Sequence, residues 1–241
     1  EYNPFECVKT NVNGAMHLID ACIDKKVKGV VALSTDKASS PINLYGATKL
    51  TSDKLFVAGN AYSGEHGTRF SVVRYGNVMG SRGSVIPFFM SIRDKGVLPI
   101  TDKRMTRFMI TLEQGVELVW HAFDDMVGGE IYVKKIPSIK VTDLARVIAP
   151  ECKLQVVGTR PGEKLHEQMI GAEDSYYTYE YDQHFKILPA INGWGVSPAR
   201  IQNGKKVAEG YVYSSDCNPK WMTDAEIQAW IDINREKIGS I

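Results

Sequence analysis

Two short valine-rich runs constrain the fold most: Val27 to Ser34 (VKGVVALS) and Phe70 to Tyr75 (FSVVRY). The first is nearly continuously apolar, as a strand is when both faces of its sheet are covered, which is how parallel strands read, and the second reads as another buried strand. Parallel strands need a long crossover. Between the runs lies a helical stretch, about Tyr45 to Ala61, which follows Pro41 and ends before Ser63-Gly64. Ahead of the first run, residues 4–25 read as another helix. Pro4 suits its first turn, and Phe5, Val8, Val12, Leu18, Ile19, Cys22 and Ile23 recur at three-to-four spacing. The order helix, strand, helix, strand predicts a parallel α/β sheet with crossover helices.

Beyond Gly80 the texture changes. Ser84 to about Ile92 reads as a helix, and Leu98-Pro99-Ile100 as a short extended piece. Thr111-Leu112-Glu113-Gln114 is a capping box that opens a helix to about Met126, stopped by Gly128-Gly129. Ile131-Tyr132-Val133 follows as a strand. Thr142 is expected to cap a short helix ending near Pro150, Leu154 to Val157 to be a strand, and Lys164 to Ile170 to form a helical turn or two. Thr223 and Glu226 cap the last helix, whose apolar stripe is Ile227, Trp230, Ile231 and Ile238. The predicted fold class is α/β: a Rossmann-like doubly wound parallel sheet with a smaller mixed α/β domain. Residues 1–80, with a return at 111–135, are expected to form the first body, and 81–241 mainly the second.

Composition closes off other classes. Twenty-nine Lys and Arg balance 28 Asp and Glu for a net charge of +1, so no global field draws the chain to nucleic acid or to an anionic membrane. The longest apolar runs fall far short of the ~20 residues that span a bilayer. Cys7, Cys22, Cys152 and Cys217 are scattered, form no C-x-x-C, and suit a reducing cytoplasm. His17, His66, His121, His166 and His184 show no metal-ligand spacing, and His121 with Asp124 and Asp125 reads as a helix end.

The sharpest chemical signal is Tyr45-Gly46-Ala47-Thr48-Lys49. Tyrosine and lysine at i and i+4 share one helix face, and a nearby ammonium lowers a phenol from ~10 towards service as a base. Ser34-Thr35-Asp36-Lys37 stands at the carboxyl end of the preceding strand, where open α/β sheets bind ligands. Asp36-Lys37 reads either as a solvated turn pair or as a general acid beside a general base. At the end of the next strand, Arg74-Tyr75-Gly76-Asn77-Val78-Met79-Gly80-Ser81-Arg82-Gly83-Ser84 reads either as an ordinary glycine-rich loop or as one whose amides approach a phosphate. Arg160-Pro161-Gly162-Glu163-Lys164 reads as a charged turn, or as a guanidinium for a diphosphate with a carboxylate for sugar hydroxyls.

Together these stretches resemble the extended short-chain dehydrogenase/reductase superfamily. The run Ala32 to Lys49 (ALSTDKASSPINLYGATK) resembles, more narrowly, the inverting UDP-N-acetylglucosamine 4,6-dehydratases that begin pseudaminic acid biosynthesis. Phe70 to Phe89, Thr101 to Phe108 (TDKRMTRF), Arg160 to Glu167 (RPGEKLHE) and Tyr213-Ser214-Ser215-Asp216 match the same family, and Gly171 to Glu209 match it least. The resemblance implies a Rossmann domain holding NADP and a smaller domain holding a UDP-sugar. It assigns Tyr45 to the sugar 4-hydroxyl and Lys49 to the nicotinamide ribose and to depressing the tyrosine. Lys37 becomes the base at carbon 5, and Asp36 the acid that releases the 6-hydroxyl as water. Relatives that retain configuration commonly carry Asp-Glu here, so Asp36-Lys37 is what implies inversion. Asn11, Val78, Met79, Gly80, Ser81 and Arg82 are implied at the cofactor, and Thr35, Asn77, Val85, Thr101, Arg160 and Glu163 at the UDP-sugar.

The family's G-x-x-G-x-x-G after a first strand is absent, so truncation at the amino end is expected, with weak NADP binding and an exposed apolar sheet edge. A cytoplasmic homo-oligomer is the expected form. A retaining 4,6-dehydratase, a 4-epimerase, and a non-catalytic NADP- or UDP-sugar-binding protein are the alternatives.

Overall fold

The valine-rich runs lie side by side and parallel, in register from Gly29 opposite Arg69 to Thr35 opposite Tyr75. The computed structural model describes residues 2–64, 67–191 and 193–238; His66 lies outside them. The first strands are β1 (Gly29–Thr35), β2 (Arg69–Tyr75), β3 (Asn77–Val78), β4 (Val97–Ile100), β5 (Thr106–Ile110) and β6 (Ile131–Lys134). Then come β7 (Ser138–Lys140), β8 (Lys153–Val156), β9 (Gln168–Ile170), β10 (Thr178–Glu180), β11 (His184–Ile187), β12 (Lys205–Lys206) and β13 (Tyr213–Ser214). The α-helices are α1 (Pro4–Val8), α2 (Gly14–Asp24), α3 (Leu44–Ser63), α4 (Val85–Ile92), α5 (Leu112–Asp125), α6 (Val141–Ile148), α7 (Pro198–Ile201) and α8 (Asp224–Asn234).

The chain divides into two units. One comprises residues 1–75, 116–135 and 168–213; the other comprises 76–115, 136–167 and 214–241. The expected division at about residue 80 places 168–213 differently: that segment groups with residues 1–75, because β11 pairs with β6 and carries β10 and β12 onto the same sheet.

In the first unit the six strands run in the order β1-β2-β6-β11-β10-β12. The first three are parallel and the rest antiparallel additions. Successive side chains of β2 leave on opposite faces. Phe70 meets Phe56 of α3 at 6.2 Å between ring centroids, while Val73 packs with Leu118 and Ala122 of α5 and with Tyr132. Helices therefore cover both faces, which is why β2 is buried from Phe70 to Arg74. β1 is an edge strand, and Leu33 is 53% exposed on it. The expected helix over 4–25 is continuous, but Lys9–Asn13 is wound as a π segment between α1 and α2.

In the second unit β5 lies between β3 and β7, and β4 pairs parallel with β8. Ile86, Leu98, Ile100, Ile139, Leu144 and Ile227 are at most 1% exposed and form its core with the apolar faces of α4, α6 and α8. Both capping boxes are present: Gln114 N–H donates to Thr111 Oγ1 and Thr111 N–H to Gln114 Oε1, and Thr223 and Glu226 exchange the equivalent pair. Two expectations need correction. Thr142 does not cap α6: the helix starts at Val141, whose N–H donates to the Met105 carbonyl, so Thr142 falls inside the first turn. The helical turn expected over Lys164 to Ile170 is instead the strand β9, where Met169 and Ile170 are both fully buried although neighbours on a strand face opposite ways.

Candidate active site

In the first unit the chemistry gathers where β1 and β2 end. β1 stops at Thr35 and the chain turns through a single 3₁₀ turn, Asp36–Ala38. Thr35 Oγ1 accepts the Lys37 N–H (3.3 Å) and donates to Asp36 Oδ1 (2.9 Å). The Asp36 carboxylate is fully buried, and the Lys37 ammonium reaches the same Oδ1 at 3.0 Å with its own side chain one-third exposed. Among the described residues, Asp36 Oδ2 is buried with no partner. A buried carboxylate oxygen left free is costly unless a ligand or a proton satisfies it.

The helix that brings Tyr45 to this turn starts by a cap the sequence reading missed, though S/T/D/N ahead of a helix is its usual signal. Asn43 Oδ1 accepts the Gly46 N–H at 2.7 Å. A Cβ on Gly46 would run into the Lys37 carbonyl, so the first turn of α3 lies directly against the Asp36–Lys37 turn. Tyr45 is 44% exposed beside it. Burial raises the Tyr45 phenol above its ordinary value, and the Lys37 ammonium is the main influence pulling it down, against Asp36, Cys7 and Asp53. The Lys49 ammonium is held one turn on by the Leu33 carbonyl at 2.7 Å. Asn11, in the π segment, donates to Thr48 Oγ1 (3.0 Å), and Thr48 in turn donates to the Tyr45 carbonyl (2.9 Å).

Of the residues assigned to the UDP-sugar, Thr35 belongs to the first unit; the other five lie in the second and line one cavity of about 350 Å³. Asn77 enters it from β3, Val85 from the start of α4 and Thr101 from the end of β4, with Arg160 and Glu163 on the loop after β8. The volume is in the range of small-ligand clefts. Glu163 orders that loop: its carboxylate accepts the Arg160 N–H (3.2 Å) and the Thr101 hydroxyl (3.5 Å). Two lining groups, Asn77 Oδ1 and Ser84 Oγ, are buried without a partner among the described residues, so the cavity offers unspent polar groups as well as apolar wall. Arg107, unmarked in the sequence reading, also lines it, 3.8 Å from Glu163 and 3.7 Å from Glu167.

The residues assigned to the cofactor fall in both units. Asn11, Tyr45 and Lys49 are in the first, and Val78, Met79, Gly80, Ser81 and Arg82 in the second. Met79 is buried in the core, so only its backbone can face a ligand. Gly80 has φ +72°, and a Cβ there would strike Trp230, which accounts for that glycine by packing. Among the described residues no group of three or more His, Cys, Asp or Glu could hold a metal ion, and no helix is long and apolar enough to cross a membrane.

A parallel sheet wrapped by helices, with Tyr-x-x-x-Lys on a helix beside its strand ends, defines an extended short-chain dehydrogenase/reductase. The chain belongs to the polysaccharide biosynthesis protein family, whose pattern matches residues 1–189. It is 54% identical, over 94% of its own length and 70% of the relative's, to a UDP-N-acetylglucosamine 4,6-dehydratase (inverting) of Campylobacter jejuni. It is 38% identical, over 86% of its length and 62% of the relative's, to a UDP-glucose 4-epimerase of Rickettsia canadensis. The X-ray structure of Pen from Bacillus thuringiensis superposes with a TM-score of 0.85 at 38% identity, covering 98% of this chain and 72% of that one.

Proposed function

We propose that the chain is a UDP-N-acetylglucosamine 4,6-dehydratase that inverts carbon 5, giving UDP-2-acetamido-2,6-dideoxy-β-L-arabino-hex-4-ulose, with NADP as its cofactor. The observation that carries this reading is the Asp36–Lys37 pair. A carboxylate and an ammonium 3.0 Å apart, at the end of β1 and against the helix that bears Tyr45, supply an acid and a base for one elimination. The 54% identity to a relative of that name supports it independently.

Dehydration across carbons 5 and 6 needs a base at carbon 5 and an acid at the 6-hydroxyl in the same step. Transfer of one proton from Lys37 to Asp36 turns the ion pair into a neutral amine beside a neutral carboxylic acid. The amine then takes the carbon-5 proton while Asp36 gives its own to the departing hydroxyl, which leaves as water. The pair ends as ammonium and carboxylate, ready for the same internal transfer. A 4-keto group is what makes the carbon-5 proton acidic enough, and Tyr45 opens the sequence by taking the proton of the 4-hydroxyl. The chemistry that a nicotinamide supplies when bound is reversible two-electron redox, oxidation at carbon 4 and reduction at carbon 6 cancelling over the cycle. A half-exposed phenol and an ammonium one helical turn apart fit its ribose, so Tyr45, Lys49 and Asn11 would hold that end. Inversion requires a proton to reach carbon 5 from the face opposite Lys37. The cavity lined by Asn77, Val85, Thr101, Arg160 and Glu163 takes the UDP-sugar. All four cysteines are free thiols, as suits a cytoplasmic enzyme using these metabolites.

The test is incubation with UDP-N-acetylglucosamine and saturating NADP in deuterated water, followed by proton NMR. The expected product is a 6-deoxy-4-keto sugar of L-arabino configuration carrying deuterium at carbon 5. The same keto sugar with configuration retained would overturn the roles of Asp36 and Lys37. A 4-epimer without deuterium at carbon 5 would overturn the dehydratase reading and favour the activity named for the Rickettsia relative.

A further inference from the structure

We propose that Asp53 and Arg74 are positioning residues: a buried charge pair that fastens the catalytic face of α3 to the ends of β1 and β2. The proposal rests on the dehydratase reading of the same site. Tyr45, Lys49 and Asp53 stand at i, i+4 and i+8, on one face of α3. Both Asp53 and Arg74 are 2% exposed, and Arg74 Nη2 lies 3.2 Å from Asp53 Oδ2. That same oxygen accepts the Ser34 hydroxyl at 2.9 Å. Ser34 is the residue immediately before Thr35-Asp36-Lys37, so one carboxylate oxygen ties the helix of Tyr45 to the strand that delivers the acid and base.

Arg74 extends the tie to a third element. Its Nη1 donates to the Met169 carbonyl of β9 at 2.8 Å and lies 3.6 Å from Asp174. The chain between those two residues lies against the catalytic turn: a Cβ on Gly171 would be 3.3 Å from Ser40 Oγ. This gives a function to the start of the segment that matches the family least. The choice of a charge pair is informative in itself. Removing two charges from water is expensive, and well-packed apolar residues of similar volume are often at least as stable. What apolar packing cannot do is fix three elements in one direction and register through five-donor guanidinium geometry. Where the pair stands, a shift of an ångström moves Tyr45 relative to Lys37, and misplacement of that size costs catalysis rather than binding.

The variants are Ser34→Ala, which deletes one hydrogen bond and leaves the ion pair, and Asp53→Asn, which strips Arg74 of its counter-charge. Each is compared with the wild-type chain for kcat and KM on UDP-N-acetylglucosamine, and for amide hydrogen exchange over residues 35–40. Ser34→Ala is expected to lower kcat about ten- to a hundredfold, the worth of one hydrogen bond to a charged group. Its KM should stay within twofold, and exchange in the Asp36–Lys37 turn should quicken. Asp53→Asn should do the same more strongly; if it fails to fold, Ser34→Ala decides. A Ser34→Ala protein with unchanged kcat and exchange, or with raised KM and intact kcat, overturns the proposal. If the wild-type chain makes no keto sugar, the dehydratase reading fails, and hydrogen exchange alone decides whether the pair positions the turn.

Discussion

The Lys37 ammonium and the Asp36 carboxylate meet at Oδ1, 3.0 Å apart, while the second oxygen of that carboxylate, Oδ2, is buried with no partner among the described residues. One side of the acid is thus held in place and the other left for a proton or a ligand. Lys37→Ala is expected to abolish carbon-5 deuterium incorporation and lower turnover by at least about 10³-fold, within the range of a lost general base. Tyr45→Phe should block oxidation at carbon 4 and so prevent any bound nicotinamide from absorbing at 340 nm during single turnover. Lys37→Ala should still permit that absorbance. Deuterium exchange and stopped-flow absorbance separate the two variants.

Gly46 is required by the Lys37 carbonyl and not by its dihedral angles. A methyl group there must push the first turn of α3 off the Asp36–Lys37 turn. Gly46→Ala raises intrinsic helix propensity, yet it is expected to destabilise the protein by about 2 kcal/mol or more through that clash. A thermal melt checks the first effect and kcat the second. An unchanged melting temperature would show that the turn yields easily.

Glu163 gathers the loop over the second unit's cavity by accepting from the Arg160 backbone and from Thr101. Glu163→Ala removes both bonds and leaves Arg107 with one carboxylate fewer. The expected result is a KM for UDP-sugar raised about tenfold, as for one or two lost hydrogen bonds. Calorimetric titration with UDP should show the same weakening.

Acid is expected to loosen the first unit through His184. Its ring stacks on Tyr181 at 4.6 Å, and its Nε2 lies 3.3 Å from that of His121. Burial, with His121, Lys186 and Lys135 also facing it, brings its pKa down to about 4 from 6.5, with Asp125 opposing. The unfolded chain therefore binds more protons between pH 6.5 and 4. Stability is full above 6.5 and falls as the pH drops through that window. From pH 7 to 5 the loss is of the order of 1–2 kcal/mol. Thermal melts at the two pH values should show it, and a His184→Phe variant, which keeps the stack, should show less.

The parallel core was legible because strands in a helix-covered sheet are rich in valine, as β1 and β2 are, although only β2 is buried from Phe70 to Arg74 and β1 lies at the edge. The caps of α5 and α8 were equally plain, since each is a local exchange of hydrogen bonds. β9, β10 and β11 were not: three or four residues such as Gln168–Ile170 carry no periodicity, and β9 and β11 take their places by pairing with strands far along the chain. The site divides in the same way. Tyr45, Lys49, Asp36 and Lys37 could be named because one helical turn and one strand end hold them. Arg74 stood in a loop motif without a role, since nothing local shows that Asp53, twenty-one residues earlier, is its counter-ion. Arg107 escaped notice for the same reason.

The polypeptide passes between its two units five times, at 75/76, 115/116, 135/136, 167/168 and 213/214. No single cut separates them. A protease nick, a truncation or a recombination breakpoint anywhere between residues 76 and 213 leaves each fragment with pieces of both. Exchange of the second unit for another, the modular shortcut open to proteins with domains strung end to end, would here need three coordinated segment replacements. New specificity on such a chain has to come by point substitution within the cavity walls, one side chain at a time.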